Sequence, residues 1–322
     1  MFRLSRVCQK DVEAQNIHFV WMYDDSSPEF ANAAFTRIVS RMEQANRIDW
    51  NHTQARVIRV ASSGHAFFAA TMVGLGVLGL VQRDFPPTWA GVPKSAPGRE
   101  VLIYLCAVVS VSTGIGLVWQ RASLVASRVL LVYFLAWLVL FRMSYLFVAP
   151  GVEGTWWACG DTAVMAAGAW VLYAWFTAEQ AGDGSRLAFA RGDSGVRIAR
   201  VLYGLGLIPF GIAHFTYLAR TVSLVPGWLP WHLGWAYFTG VAFIAAGVAV
   251  LTGVFARLAA VLSALEMGLF ILLVWVPIVT KTPTPFDWVE LVGSWTLTAA
   301  AWLVADSYRG TPWLDAGILR RR

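Results

Sequence analysis

An all-helical membrane protein is the fold class this sequence predicts, with about eight crossings arranged as two like-oriented four-helix bundles plus a short amphipathic N-terminal region. Three observations carry the prediction. Hydrophobic residues make up 57% of the chain and charged residues 14%, against about 25% charged in a soluble domain, and one soluble core cannot hide that much apolar side chain. Apolar runs long enough to cross a hydrocarbon layer of about 30 Å follow one another along the chain. Seventeen tryptophans supply rings that favour the two membrane interfaces, where both the apolar ring and its N–H are satisfied.

The runs fall near 64–82, 101–119, 126–148, 158–177, 198–218, 233–254, 258–279 and 289–305. The first carries Gly74, Gly76 and Gly79, small residues that let a neighbouring helix approach closely. Their Gly-x-Gly-x-x-Gly spacing is not a dinucleotide fingerprint, because no strand precedes it and no βαβ unit surrounds it. The third, Leu130 to Val148, is the cleanest.

Orientation follows from the basic residues, which accumulate in cytoplasmic loops. Nineteen Lys and Arg fall on the side that holds both termini and five on the other, with Arg142 inside a span. Both ends are therefore expected in the cytoplasm. The net charge of +6 belongs to those loops, so the lipid bilayer is the expected partner and nucleic acid is not. The first sixty residues are polar, so no cleavable signal peptide is expected. Cys8, Cys106 and Cys159 fit neither a disulfide framework nor a zinc site.

Residues 1–63 form a cytoplasmic N-terminal region. Ser26-Ser27-Pro28-Glu29 starts a helix there. Phe30, Ala34, Ile38, Met42 and Ala45 give it one apolar stripe, to lie on the inner leaflet, on a partner, or on the protein's own loops. Residues 178–197, rich in Gly and Asp, form a cytoplasmic linker, and 307–322 a basic cytoplasmic tail.

The membrane part repeats itself. Val73-Gly74-Leu75-Gly76 matches Tyr203-Gly204-Leu205-Gly206, and Pro87-Thr88-Trp89 matches Pro226-Gly227-Trp228. Tyr104, Ala107 and Gly114 align with Tyr237, Gly240 and Gly247, and Ala166 to Trp170 with Thr298 to Trp302. The two units are 64–177 and 198–306. Four spans per unit is an even number, so both insert with the same orientation about an axis near the membrane normal.

In the second unit, Gly211-Ile-Ala-His214-Phe215, Leu224-Val-Pro226-Gly-Trp228-Leu-Pro230-Trp-His232, Trp235-Ala-Tyr237-Phe-Thr-Gly240, Gly253-Val-Phe-Ala-Arg257-Leu-Ala-Ala260 and Trp288-Val-Glu290-Leu resemble the DoxX-like family of four-span membrane proteins. The resemblance covers 198–306, and 64–177 less closely through Gly98-Arg-Glu100, the Gly114–Arg121 stretch and Trp156-Trp-Ala-Cys159-Gly-Asp161. Many members have Lys where this chain has His214. The resemblance implies a bacterial inner-membrane location and a link, in some members, to quinone-dependent redox systems; it does not transfer a reaction.

The chain holds no Walker loop, His-x-x-x-His helix, Cys-x-x-Cys or haem-attachment sequence, so no cofactor is evident. The candidates are ionisable or polar groups inside spans, costly in hydrocarbon and expected to face the interior with partners. Arg142 lies two-thirds along the third span, Asp161 near the outer start of the fourth, and His214 near the outer end of the fifth, with Tyr217 three residues on. His232 and Tyr237 open the sixth span, Glu266 sits well inside the seventh, and Glu290 starts the eighth. All but Glu266 fall in the outer half, and an Arg142–Asp161 pair is the expected centre of a polar pocket. Cys106 and Cys159 lie on the second and fourth helices of one unit, where an approach between them stays open. Two function classes remain open: a membrane subunit of a quinone-linked redox system, whose cofactor sits on a partner protein, and a non-enzymatic small-molecule carrier or scaffold. Neither class fixes the oligomeric state.

Overall fold

Serine 62 begins the first membrane helix by accepting the backbone N–H of His65 at 3.1 Å, the side-chain cap that an N-terminus leaves room for. A computed structural model describes residues 60–86, 89, 92–178, 188–281 and 283–316, and among them it is all helix, without strands. The helices are α1 Ser63–Gln82, α2 Arg99–Val118, α3 Ser123–Val148, α4 Glu153–Ala178, α5 Gly192–Thr216, the short α6 Leu218–Leu224, α7 His232–Thr252, α8 Ala256–Val279 and α9 Pro285–Asp306. Seven of these, all but α4 and α6, are long and apolar enough to cross a bilayer, so the chain is a multi-pass membrane protein. The expected N-terminal helix, residues 179–187 of the linker and the terminal Arg320–Arg322 lie outside the described residues.

Helix α4 departs from the expectation of eight strongly apolar spans. It is long, but its middle is Ala, Gly and Thr rather than Leu and Ile, and Val164, Met165, Ala166, Ala167, Ala169, Val171, Leu172 and Ala174 are fully buried. Helices α3, α5 and α9 pack around it, so protein rather than lipid solvates it and small residues suffice. Two edges also move. Helix α4 starts at Glu153, so Asp161 lies more than two turns inside rather than near the start. Helix α5 starts at Gly192 rather than near 198; a Cβ at Gly195 would meet Ala190 O at 2.2 Å, so the glycines that suggested a linker allow the chain to fold back tightly before the helix. The first-turn acids of α4 and α9 are Glu153 and Asp287. Thr284 and Asp287 close a capping box, with Pro285 at the first helical position, the arrangement that satisfies orphan N–H groups at a helix start.

Contacts between neighbours follow one pattern twice. Helix α1 packs on α2, α2 on α3 and α3 on α4; α5 packs on α7, α7 on α8 and α8 on α9. A π-turn interrupts α3 at Leu138–Arg142 and α8 at Ile271–Trp275. Gly76 presses on Ala107 O and Val111 N of α2, while Gly211 presses on Gly240 O and Ile244 N of α7. Gly114 meets Ala69 O, and Gly247 meets Gly204 O. In these contacts Gly76 takes the place of Gly211 and Ala69 that of Gly204, not the places given by matching 73–76 to 203–206, while Ala107 takes the place of Gly240 and Gly114 that of Gly247. Where α4 crosses α9, a Cβ at Gly168 would lie 3.2 Å from Ala300.

Two seams join the halves. At α4–α5, a Cβ at Gly160 would lie 2.8 Å from Gly206 O. At α1–α9, Gly64 N–H donates to Asp306 Oδ2 at 2.9 Å, and farther along Trp295 Nε1–H donates to Thr71 Oγ1 at 3.1 Å while its ring meets Phe67 edge-on.

Candidate functional site

The π-turn of α3 ends on Arg142, which is 8% exposed. A π-turn shifts the helix register locally, and here its last side chain points inward. Arg142 Nε–H donates to Thr162 Oγ1 at 3.3 Å, and Asp161 is the acid whose charge acts most on the guanidinium, with Cys159 and Tyr145 also near. Asp161 is half-buried. Trp157, one turn earlier on α4, reaches its carboxyl, yet Oδ1 is buried without a hydrogen bond from the protein.

Two further acids act on Asp161, Glu290 of α9 and Glu153 at the start of α4. The Tyr217 hydroxyl approaches the Glu153 carboxyl and lies 3.4 Å from where a Cβ of Gly154 would stand, although neither Glu153 oxygen closes a hydrogen bond of ordinary geometry. Arg220 acts on Glu290 from the rim, where its guanidinium lies 5.1 Å from the centre of the Phe286 ring. The cluster thus draws Arg142, Glu153 and Asp161 from the first half of the chain and Tyr217, Glu290 and Arg220 from the second.

The remaining candidates go elsewhere. His214 Nδ1 bonds Phe210 O at 2.8 Å; a carbonyl only accepts, so Nδ1 carries a proton. Its ring packs between Phe243 and Phe270, at 5.6 and 6.0 Å. Tyr217 is not on that face: α5 ends at Thr216, Tyr217 takes a non-helical backbone, and the expected three-residue spacing no longer applies. Tyr237 is 44% exposed and stacks on Phe215. His232 is the half-buried first residue of α7. Glu266 is half-buried on α8, its Oε1 buried without a hydrogen bond. It lies one turn beyond Ser263, which shares a 2.9 Å hydrogen bond with Tyr203. Cys106 and Cys159 are free thiols in different surroundings, Cys106 against Tyr133 and Cys159 near Arg142 and Asp161.

Sequence reasoning did not select Glu153, Thr162 or Arg220. The Pro150-Gly151 turn followed by an acid is the signal for Glu153 as a helix start; Thr162 and Arg220 gave none, because a hydroxyl in an apolar helix usually bonds its own backbone. Among the described residues no three His, Cys, Asp or Glu are grouped to hold a metal. The arrangement can hold charge and protons: Glu153, Asp161 and Glu290 face Arg142 and Arg220, and Asp287 also acts on Glu290, so acids outnumber arginines and protons or a cationic group of a solute complete the balance. No protein-family model matches the chain, nor does any curated protein or solved structure.

Proposed function

We propose that this chain is a proton-linked carrier of a small polar solute, a DoxX-like protein of the bacterial cytoplasmic membrane with both termini in the cytoplasm. It crosses eight times as two like-oriented four-helix units, 64–177 and 198–306, with α4 as the eighth crossing. The repeated packing order, the paired π-turns and the meeting of Gly168 with Ala300, aligned partners in the two halves, support the two-unit reading; equivalent residues meet on an axis that relates like-oriented repeats. The observation that carries the function is the origin of the Arg142, Glu153, Asp161, Tyr217 and Glu290 cluster in both halves. A site at the junction of two units changes when they rock against each other, whereas a site inside one bundle does not.

The test uses the full chain in vesicles loaded with a pH-sensitive dye. After an external pH step, wild-type protein equilibrates the interior faster than Asp161→Asn or Glu290→Gln. Equal rates in all three, with a quinone co-purifying in stoichiometric amount, would overturn the carrier in favour of the quinone-linked redox subunit and its cofactor-bearing partner.

A further inference from the structure

At the opposite end of the helices from the charge cluster, a cleft of about 320 Å³ opens between the end of α4, the start of α5 and Ser307. That size sits at the low end of small-molecule sites, about 300–1,000 Å³. Ala174, Trp175, Ala178 and Val196 form an apolar wall, and Asp193, Arg197 and Arg200 supply charge. Arg200 is fixed: its Nε–H donates to Ser307 Oγ at 3.0 Å, its terminal N–H to Ser307 O, and its guanidinium lies 3.7 Å from the centre of the Tyr308 ring. Arg197 is exposed and bonds Ser194 on its own helix at 3.0 Å. The Arg191 side chain at the same helix start has a buried Nε that makes no hydrogen bond. Gly192 and Asp193, the first residues of α5, put the positive end of a 25-residue helix at the cleft.

We propose that this cleft binds the phosphodiester head group of an anionic phospholipid. Two arginines and one aspartate leave a lining charge of +1, which matches the single negative charge of a phosphodiester. Trp175 and the alanines give the glycerol and first acyl carbons a surface that free phosphate would not use. The cleft lies where helices end and loops begin, the depth at which head groups sit, and a basic pocket between membrane helices there is a recurrent lipid-head-group site. It also spans both halves of the chain, so a bound lipid tethers α4 to α5.

The test is native mass spectrometry and thermal unfolding of the full chain in detergent with short-chain phosphatidylglycerol, phosphatidylcholine or inorganic phosphate. Phosphatidylglycerol binds saturably and in preference to phosphatidylcholine. Arg197→Gln, which leaves the Arg200–Ser307 contact in place, weakens it about fivefold, and Arg200→Gln by at least as much. Asp193→Asn strengthens it by a similar factor, a gain that misfolding cannot mimic. Equal binding of both lipids, displacement of the lipid by an equal concentration of phosphate, or unchanged affinity in both Arg197→Gln and Asp193→Asn would each overturn the assignment.

Discussion

The two seams between the halves of the chain differ in how far close backbone contact extends along them: the α1–α9 seam has it at one end, where a Cβ at Gly64 would lie 2.9 Å from Leu303 Cα. At α4–α5, Gly160 and Gly206 face each other and the backbones touch; a Cβ at Gly206 would lie 3.0 Å from Gly160 O. At α1–α9 the helices are joined by Trp295 and Trp302, which are 47% and 45% exposed and donate to Thr71 and Ser63, while Gly74 and Gly293 have nothing within 4 Å of a Cβ. Membrane helices gain little from burying apolar surface away from lipid, so they hold together through close van der Waals contact and hydrogen bonds. The first seam uses the former; the second uses it only at Gly64 and relies on hydrogen bonds farther along. The charge cluster contains residues of α4 and the Tyr217 that follows α5, beside the glycine seam. The halves are thus clamped where charge is held and at Gly64, and propped by Trp295 and Trp302 along the rest of α1–α9.

The same comparison holds inside the halves. The π-turn of α3 delivers Arg142 to Thr162, whereas the π-turn of α8 ends on Trp275, 7% exposed. One half carries a charge at that place and the other a ring.

Substitutions that break this contrast should fall in order of size. Arg142→Leu leaves the Asp161 carboxyl without its compensating charge and should cost about 3 kcal/mol, whereas Trp275→Leu trades one buried apolar group for another and should cost about half that; unfolding in detergent measures both. A near-zero cost at Arg142 would mean that the cluster is solvated and unpaired. Gly206→Leu forces α4 and α5 apart and should cost about 2 kcal/mol, against less than about 0.5 kcal/mol for Gly74→Leu at the open position. Equal effects at the two glycines would erase the difference between the seams. Trp295→Ala removes a half-exposed ring and one hydrogen bond, for about 1 kcal/mol.

The smallest effect lies in the connection between α1 and α2. Burial pushes the Asp84 carboxyl up, but the hydrogen bond and charge of Arg99, at 2.5 Å, outweigh it and hold the group below its ordinary value of 3.8. A depressed folded value means stability present above the unfolded pKa and lost as pH falls through the folded one. Half of the Asp84 side chain is exposed, so the contribution is about 0.5 kcal/mol after screening. Asp84→Asn should remove that part of the acid dependence of unfolding and leave the remainder.

Much of this fold is legible in the sequence because hydrocarbon imposes length and apolarity directly: the seven apolar helices lie within a few residues of the expected spans, apart from the early start of α5. Which glycines make the close contacts is not legible, because Gly74-x-Gly76 and Gly204-x-Gly206 look alike as letters while the contacts of Gly76 on α2 are those that Gly211 makes on α7. Of the candidates named from the sequence, the structure brings Arg142, Asp161, Tyr217 and Glu290 near one another. His214, His232, Tyr237 and Glu266 are candidates as ionisable or polar groups inside spans, and neither chemistry nor depth says which way a side chain turns on a helix. Tyr217 joins the cluster because α5 ends at Thr216, not because it shares a face with His214.

The most direct test uses a thiol already in place. Cys159 is half-buried beside Arg142 and Asp161, whereas Cys106 is 1% exposed in the interior of the first half. In sealed vesicles, single-cysteine forms carrying only Cys159 or only Cys106 are treated with a membrane-impermeant maleimide from the outer face. A water-reachable cluster between the halves predicts that Cys159 is labelled, that Cys106 is not, and that adding Gly206→Leu, which pries the α4–α5 seam, speeds the labelling of Cys159. A Cys159 that stays unreactive in both backgrounds, while a cysteine placed at Lys94 in the α1–α2 loop is labelled normally, would contradict a carrier site at the junction.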